Sequence, residues 1–142
     1  MPVRRRPKAQ GELAELVFMC KAASLGLVVA KPWGDNLPYD FLVGVTPPFY
    51  RVQVKSTSVR HCRGYHLSCF RPASRQTYTA RQIDFIAAYV IPERVWYVLP
   101  VRALRHRKTI VLFPRRPPSR GRGRFEKYRE AWRLLRNPRQ RA

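Results

Sequence analysis

A chain of 142 residues, 45% apolar and 12% aromatic, can build one compact domain with a single core and is too short for two. Its 29 Lys and Arg against eight Asp and Glu leave a net charge of +21, so a polyanionic partner is expected, nucleic acid ahead of an anionic membrane surface. The longest uncharged stretch, Phe41 to Tyr50, is well short of the roughly 18 apolar residues that cross a bilayer, which excludes an integral membrane protein. No apolar run follows the basic start as it would in a secretory signal, and three cysteines (Cys20, Cys62, Cys69) do not suit a disulfide framework. The implied setting is reducing and intracellular, in the cytoplasm or nucleoid.

In chain order, residues 1–10 form a basic arm carrying Arg4, Arg5, Arg6 and Lys8. From Gly11 the residues Leu13, Leu16, Val17, Cys20 and Ala23 recur with helical spacing, and Gly26 is placed to end that helix. Leu27 to Ala30 is a short apolar run, Pro32 to Pro38 has turn chemistry, and Tyr39 to Val45 reads as a strand. Phe49 to Thr57 alternates, with Tyr50, Val52 and Val54 on one face and Arg51, Gln53 and Lys55 on the other, and pairs most economically with Tyr39 to Val45 as a hairpin. Tyr65 to Phe70, Phe85 to Ile91, Val95 to Leu99 and Thr109 to Phe113 are further strands, the middle two separated by a turn at Pro92-Glu93-Arg94. Pro114 to Arg124 reads as an extended linker, and Phe125 to Arg136 as a closing helix with Phe125, Tyr128, Trp132 and Leu135 along one side. The expected architecture is α+β: a core over 11–113 with a mainly antiparallel sheet and flanking helices, then a basic linker and helix over 114–142.

Acids are scarce in so basic a chain, which makes their positions informative. Glu12 and Glu15 open the first helix, Asp40 begins one strand, and Gln53-Val54-Lys55 lies on the next. A carboxylate beside an oxygen acceptor and a lysine can hold a hard divalent cation while the ammonium meets water or phosphate. Taken alone, the same pattern is a strand-edge turn residue and a solvated lysine.

The strings GELAE (Gly11 to Glu15), LG (Leu25, Gly26), KPWGDNLPYD (Lys31 to Asp40) and YRVQVKST (Tyr50 to Thr57) together resemble the PD-(D/E)xK nuclease superfamily. More narrowly they resemble its glutamine-variant branch, which includes a homing endonuclease of group I introns; YTARQIDFIAAYV (Tyr78 to Val90) and VWYVLP (Val95 to Pro100) extend the likeness. The resemblance implies a restriction-endonuclease-like core and a DNA endonuclease that uses Mg²⁺ or Mn²⁺. It makes Asp40 the motif acid and metal ligand, puts Gln53 where an acid is usual, and makes Lys55 the catalytic lysine. Glu15 is the helix-borne acid with Glu12 in reserve, and the Val54 carbonyl is a further ligand. A neutral Gln53 leaves Asp40 and Glu15 to supply most of the charge that attracts the cation.

Other features are read as structural. His61, Cys62, His66 and Cys69 match no common zinc spacing, and Asp84 is expected to cap a turn or pair with a nearby arginine such as Arg81. Phosphate contacts are expected from Arg4, Arg5, Arg6, Arg115, Arg116, Arg120, Arg122, Arg124, Lys127 and Arg133, with Arg129 and Arg136 as further candidates. A double-strand break needs two opposed sites, so a homodimer or homotetramer is expected, joined through the exposed half of the C-terminal aromatic stripe. The competing functions are a catalytically silent nucleic-acid-binding module and a basic RNA-associated structural protein.

Overall fold

The computed structural model describes residues 6–116 and 123–139, so the expectations for Arg4, Arg5, Arg120 and Arg122 lie outside the described residues. Helix α1 (Pro7–Ser24) starts ahead of Gly11, because a proline in the first turn has its φ preset and lacks an N–H that the helix would leave unpaired. Its buried stripe is Ala14, Phe18 and Ala22, whereas Leu16 is 58% exposed and Cys20 also faces outward. The expected apolar face was therefore out of phase. Two alanines flanking Phe18 let the helix lie close to a sheet, and that shape requirement outranks the bulk of Leu16.

A five-stranded sheet runs in the order β1 (Val28–Ala30), β2 (Phe41–Gly44), β3 (Tyr50–Thr57), β6 (Phe85–Val90), β7 (Val95–Pro100). A smaller sheet holds β4 (Arg60–His61), β5 (Gly64–Ser68) and β8 (Thr109–Leu112). Every described strand pair is antiparallel except β3 with β6, which runs parallel from Val52↔Phe85 to Thr57↔Val90. The fold is thus α+β with a mixed, mainly antiparallel sheet. The expected β2–β3 hairpin is present, in register Phe41↔Val52.

Alternation along β3, β6 and β7 feeds two cores. Val52, Val54, Phe85, Ala87, Trp96 and Val98 meet α1 around Phe18, while Ile86, Ala88, Val90, Tyr97 and Leu99 meet the smaller sheet through Leu67, Ile110 and Leu112. Because both faces of β6 are covered, its sequence is an unbroken apolar run, as a central strand requires. Helical cover comes from α1 on one face; the other face carries the second sheet. No helix among the described residues is long and apolar enough to cross a membrane.

The C-terminal segment is not the expected helix. It forms two 3-10 turns, Glu126–Tyr128 and Trp132–Leu135, separated by Glu130 at φ 51°. Two carboxylates and a bridge pull it off a helical path. Glu126 accepts hydrogen bonds from Tyr97 Oη (2.6 Å) and Phe113 N–H (2.7 Å), Glu130 accepts from Trp96 N–H (2.9 Å) and Trp132 Nε1 (2.6 Å), and Arg129 bridges Tyr97. Phe125, Trp132 and Leu135 are buried and Tyr128 is half-buried, so little of the aromatic stripe is left to face another copy of the chain. Arg129 donates to the carbonyls of Pro114 and Arg116, and the exposed Arg136 to that of Leu25, so both tie the C-terminal segment to the rest of the fold.

Asp84 pairs not with Arg81 but with Arg51, whose N–H, Nε and Nη2 reach it at 2.8, 3.2 and 3.1 Å, and with Arg139 Nε at 3.0 Å. Arg81 contributes only its carbonyl, to Arg51 Nη1. Burial raises the Asp84 pKa, but the Arg51 hydrogen bonds outweigh it and hold the carboxyl below its ordinary value.

Glu126 is only 2% exposed, so Glu126→Ala strands a buried tyrosine hydroxyl and an amide; it is expected to cost about 3 kcal/mol in denaturant unfolding. Glu126→Gln, which keeps an acceptor for Phe113 N–H, is expected to cost less.

Candidate active site

The β2–β3 hairpin ends in a contact that fixes the site. Asp40 N–H donates to Val52 O at 2.9 Å, and Asp40 Oδ2 accepts from Val54 N–H at 2.9 Å. The carboxylate stands in for the next main-chain acceptor of the ladder, so strand pairing itself sets its position. Among the described residues no donor reaches Asp40 Oδ1. Val52 and Val54 present their backbone groups to the same side of β3, as alternate residues must, which points the Val54 carbonyl past the end of β2.

Of the two helical acids, α1 turns Glu15 toward Asp40 and leaves Glu12 exposed. Glu15 Oε1 is held by Lys31 Nζ at 3.0 Å, and Lys31 also lies over the Phe41 ring. Burial, joined by the like charge of Glu15, pushes the Asp40 carboxyl up to about 6, against the pull of Val54 N–H, Lys31 and Lys55.

Lys55 leaves β3 on the opposite face from Val54 and is drawn under the β5–β6 connection. Its Nζ donates to Phe70 O at 3.2 Å and sits 5.4 Å from the centre of the Tyr78 ring. Burial lowers its pKa, while the charge of Asp40 opposes that shift. Gln53 lies on the same face of β3, and its Nε2 donates to Val54 O at 3.4 Å. One turn back along α1, Gln10 Nε2 reaches Ser56 Oγ at 3.3 Å and ties the helix to β3 beside the site.

Glu15, Asp40, Gln53, Val54 and Lys55 therefore gather at one end of the hairpin. The sequence reading missed Lys31, Phe70 O and Tyr78. Lys31 and Tyr78 lay within the strings that carried the resemblance, but only the tertiary fold shows what they touch.

A hard cation fits this donor set. Two carboxylates, an amide oxygen and a main-chain carbonyl are all oxygen ligands, and a half-buried carboxyl pushed up to about 6 beside a second acid is under-compensated in positive charge. No group of three or more His, Cys, Asp or Glu able to hold a metal gathers among the described residues. The histidine and cysteine set thus makes no zinc site there: the His61 and His66 rings are 6.5 Å apart, and the Cys69 thiol is buried and pushed up to about 12.

Of the expected phosphate contacts, Arg6, Arg124, Lys127 and Arg133 are exposed. Arg115 is held by Glu93 at 2.8 Å, and Arg116 lies over the Phe113 ring.

Comparison with known proteins bears on the family and the fold. The structure is similar to that of a bacterial homing endonuclease, I-Ssp6803I, with a TM-score of 0.76, 30% sequence identity, and coverage of 93% of this chain and 92% of that one. No curated protein sequence matches significantly. A family model described as PD-(D/E)XK endonuclease matches residues 5–135, nearly the whole chain, and the chain belongs to that family.

Proposed function

We propose that the chain is a Mg²⁺-dependent DNA endonuclease, with Mn²⁺ as an alternative ion, that hydrolyses phosphodiester bonds in the manner of a homing endonuclease. The observation that carries this is Asp40, locked by Val54 N–H between Glu15 and Lys55 and raised in pKa by burial and by its neighbouring acid. A protein that only bound nucleic acid would gain affinity by losing both carboxylates.

Asp40, Glu15, Gln53 Oε1 and Val54 O would hold the cation. When bound, Mg²⁺ supplies Lewis-acid stabilisation of the charge that develops at phosphorus and makes water more acidic. Lys55, steered by Phe70 O and the Tyr78 ring, orients the attacking water and donates to a phosphoryl oxygen. Lys31 keeps Glu15 aimed, and Gln53 gives geometry without charge. Arg6, Arg124, Lys127 and Arg133, with the basic termini, track the DNA backbone. A homodimer or homotetramer places two sites on opposite strands, through a face other than the buried aromatic stripe. Exposed thiols at Cys20 and Cys62 suit a reducing, intracellular setting.

In a plasmid assay Asp40→Asn and Lys55→Ala are each expected to lower cleavage at least about a thousandfold with DNA binding retained. Gln53→Glu, which restores an acid, is expected to keep cleavage and lower the Mg²⁺ concentration required. Cleavage by Asp40→Asn, or cleavage in excess chelator, would show that this is not the catalytic site, and DNA binding by the wild type without cleavage at any Mg²⁺ or Mn²⁺ concentration would favour the silent-module reading.

The pH dependence follows from the direction of the Asp40 shift. Folded Asp40 keeps its proton to about 6 whereas the unfolded chain releases it near 3.8, so stability falls as pH rises through that window. Asp40→Asn removes this fall and is expected to stabilise the protein by about 1–2 kcal/mol at pH 8, less than the ~3 kcal/mol of a two-unit shift because the site is partly solvated. Added Mg²⁺ is expected to raise the melting temperature of the wild type and not that of Asp40→Asn.

Light scattering at working concentration is expected to return at least a dimer, with linear plasmid as the product. A monomer that only nicks would contradict the two-site arrangement.

A further inference from the structure

Trp33 is fully exposed, whereas the other two tryptophans, Trp96 and Trp132, are 3% and 6% exposed. It sits in the β1–β2 connection, which leads straight into Asp40. The connection is confined at both ends: Lys31 is engaged with Glu15, and Asp40 is bonded to β3 through its main chain and its carboxylate. Prolines at Pro32 and Pro38 and a left-handed Gly34 at φ 84° restrict it further. The indole is therefore held out into solvent on the loop that ends at the candidate catalytic acid.

The composition of this loop runs against that of the chain. Between Lys31 and Asp40 there is no other cation, the one cation is occupied by Glu15, and Asp35 adds a negative charge. A segment built to follow phosphates would be basic, as the termini are; this one presents Trp33 and Leu37, the latter 45% exposed. An indole carries no charge and a single N–H donor, so it gains less from a phosphate than a lysine or arginine does and more from the face of a base. A second copy of the chain is the less suitable occupant. One indole offers roughly 200 Å², against the roughly 800 Å² per partner of a stable protein interface. A DNA-base contact needs no more than one ring.

We infer that Trp33 is a DNA-base contact, stacking on or wedging between bases next to the phosphate presented to Asp40, and so distorts the duplex where it is cut. This rests on the DNA-nuclease reading above, with which it shares the substrate. The contact adds sequence or deformability preference to a chain whose arginines supply affinity.

The test uses the full chain in chelator, so that nothing is cut. Binding of a short fluorescein-labelled duplex is followed by anisotropy, and acrylamide quenching of tryptophan emission is measured in parallel with the same duplex unlabelled. Trp33 dominates quenching in the free protein because the other two indoles are buried. Saturating duplex is expected to lower the quenching constant at least about threefold. Trp33→Ala, which removes no packing, is expected to bind about tenfold more weakly with an unchanged salt slope, since no phosphate contact is lost, and Trp33→Phe to recover most of that affinity. Binding by anisotropy with quenching unchanged, or wild-type affinity in Trp33→Ala, would overturn the inference and leave the nuclease reading standing. Protection that appears without DNA and grows with protein concentration would assign Trp33 to contact between copies and overturn it equally. No binding of duplex at all would remove the nuclease reading and this inference together.

Discussion

One hydrogen bond organises the candidate site: Val54 N–H to the Asp40 carboxylate. Strand pairing makes the contact compulsory, because Val54 is the next residue of β3 whose amide faces β2, and β2 has no further main chain to offer it. A buried amide without a partner costs about 1–3 kcal/mol, so the carboxylate is kept at the end of the ladder by the same physics that builds the sheet. Glu15 then comes from the helix that packs on Val52 and Val54, and Lys55 from the far face of the same strand. Three elements meet at Asp40 because each is anchored to β3.

The eight acids show how a strongly basic chain uses negative charge. Asp84, Glu93, Glu126 and Glu130 hold arginines, tyrosines or strand amides in place, and two of them, Glu126 and Glu130, bind the C-terminal segment to the sheet. Glu12 and Asp35 are exposed. That leaves Glu15 and Asp40 as a neighbouring pair, with the Asp40 carboxyl pushed up to about 6 by burial first and by the charge of Glu15 beside it. A structural role would favour separating such a pair or giving each member its own arginine, as Asp84 has. Stability is given up at this end of the hairpin, which is where a cation-dependent activity would need it to be.

Local patterns in the sequence were legible where one residue's environment follows from its neighbours in the chain. The alternation from Tyr50 to Lys55 placed Val52 and Val54 in the core and Gln53 and Lys55 on the other face, and the turn at Pro47-Pro48 gave the hairpin that brings Asp40 alongside. The α1 stripe was misread because hydrophobicity alone ranks Leu16 above Ala14 and Ala22, while close packing on a sheet favours the alanines. The C-terminal helix was misread because the spacing of Phe125, Tyr128 and Trp132 is helical, but Glu126 and Glu130 bond to strands β7 and β8 and their ends, partners that no local pattern announces. The same limit hid the Phe70 carbonyl and Tyr78 ring at Lys55, and Arg51 at Asp84.

The central claim, that Asp40 is a charge-burdened cation ligand, is tested most directly by following its side-chain carboxyl carbon by NMR through a pH titration, without and with Mg²⁺. The account predicts a midpoint near 6 without the ion, falling below the ordinary aspartate value when Mg²⁺ is added. A midpoint at the ordinary value that Mg²⁺ leaves unmoved would contradict it.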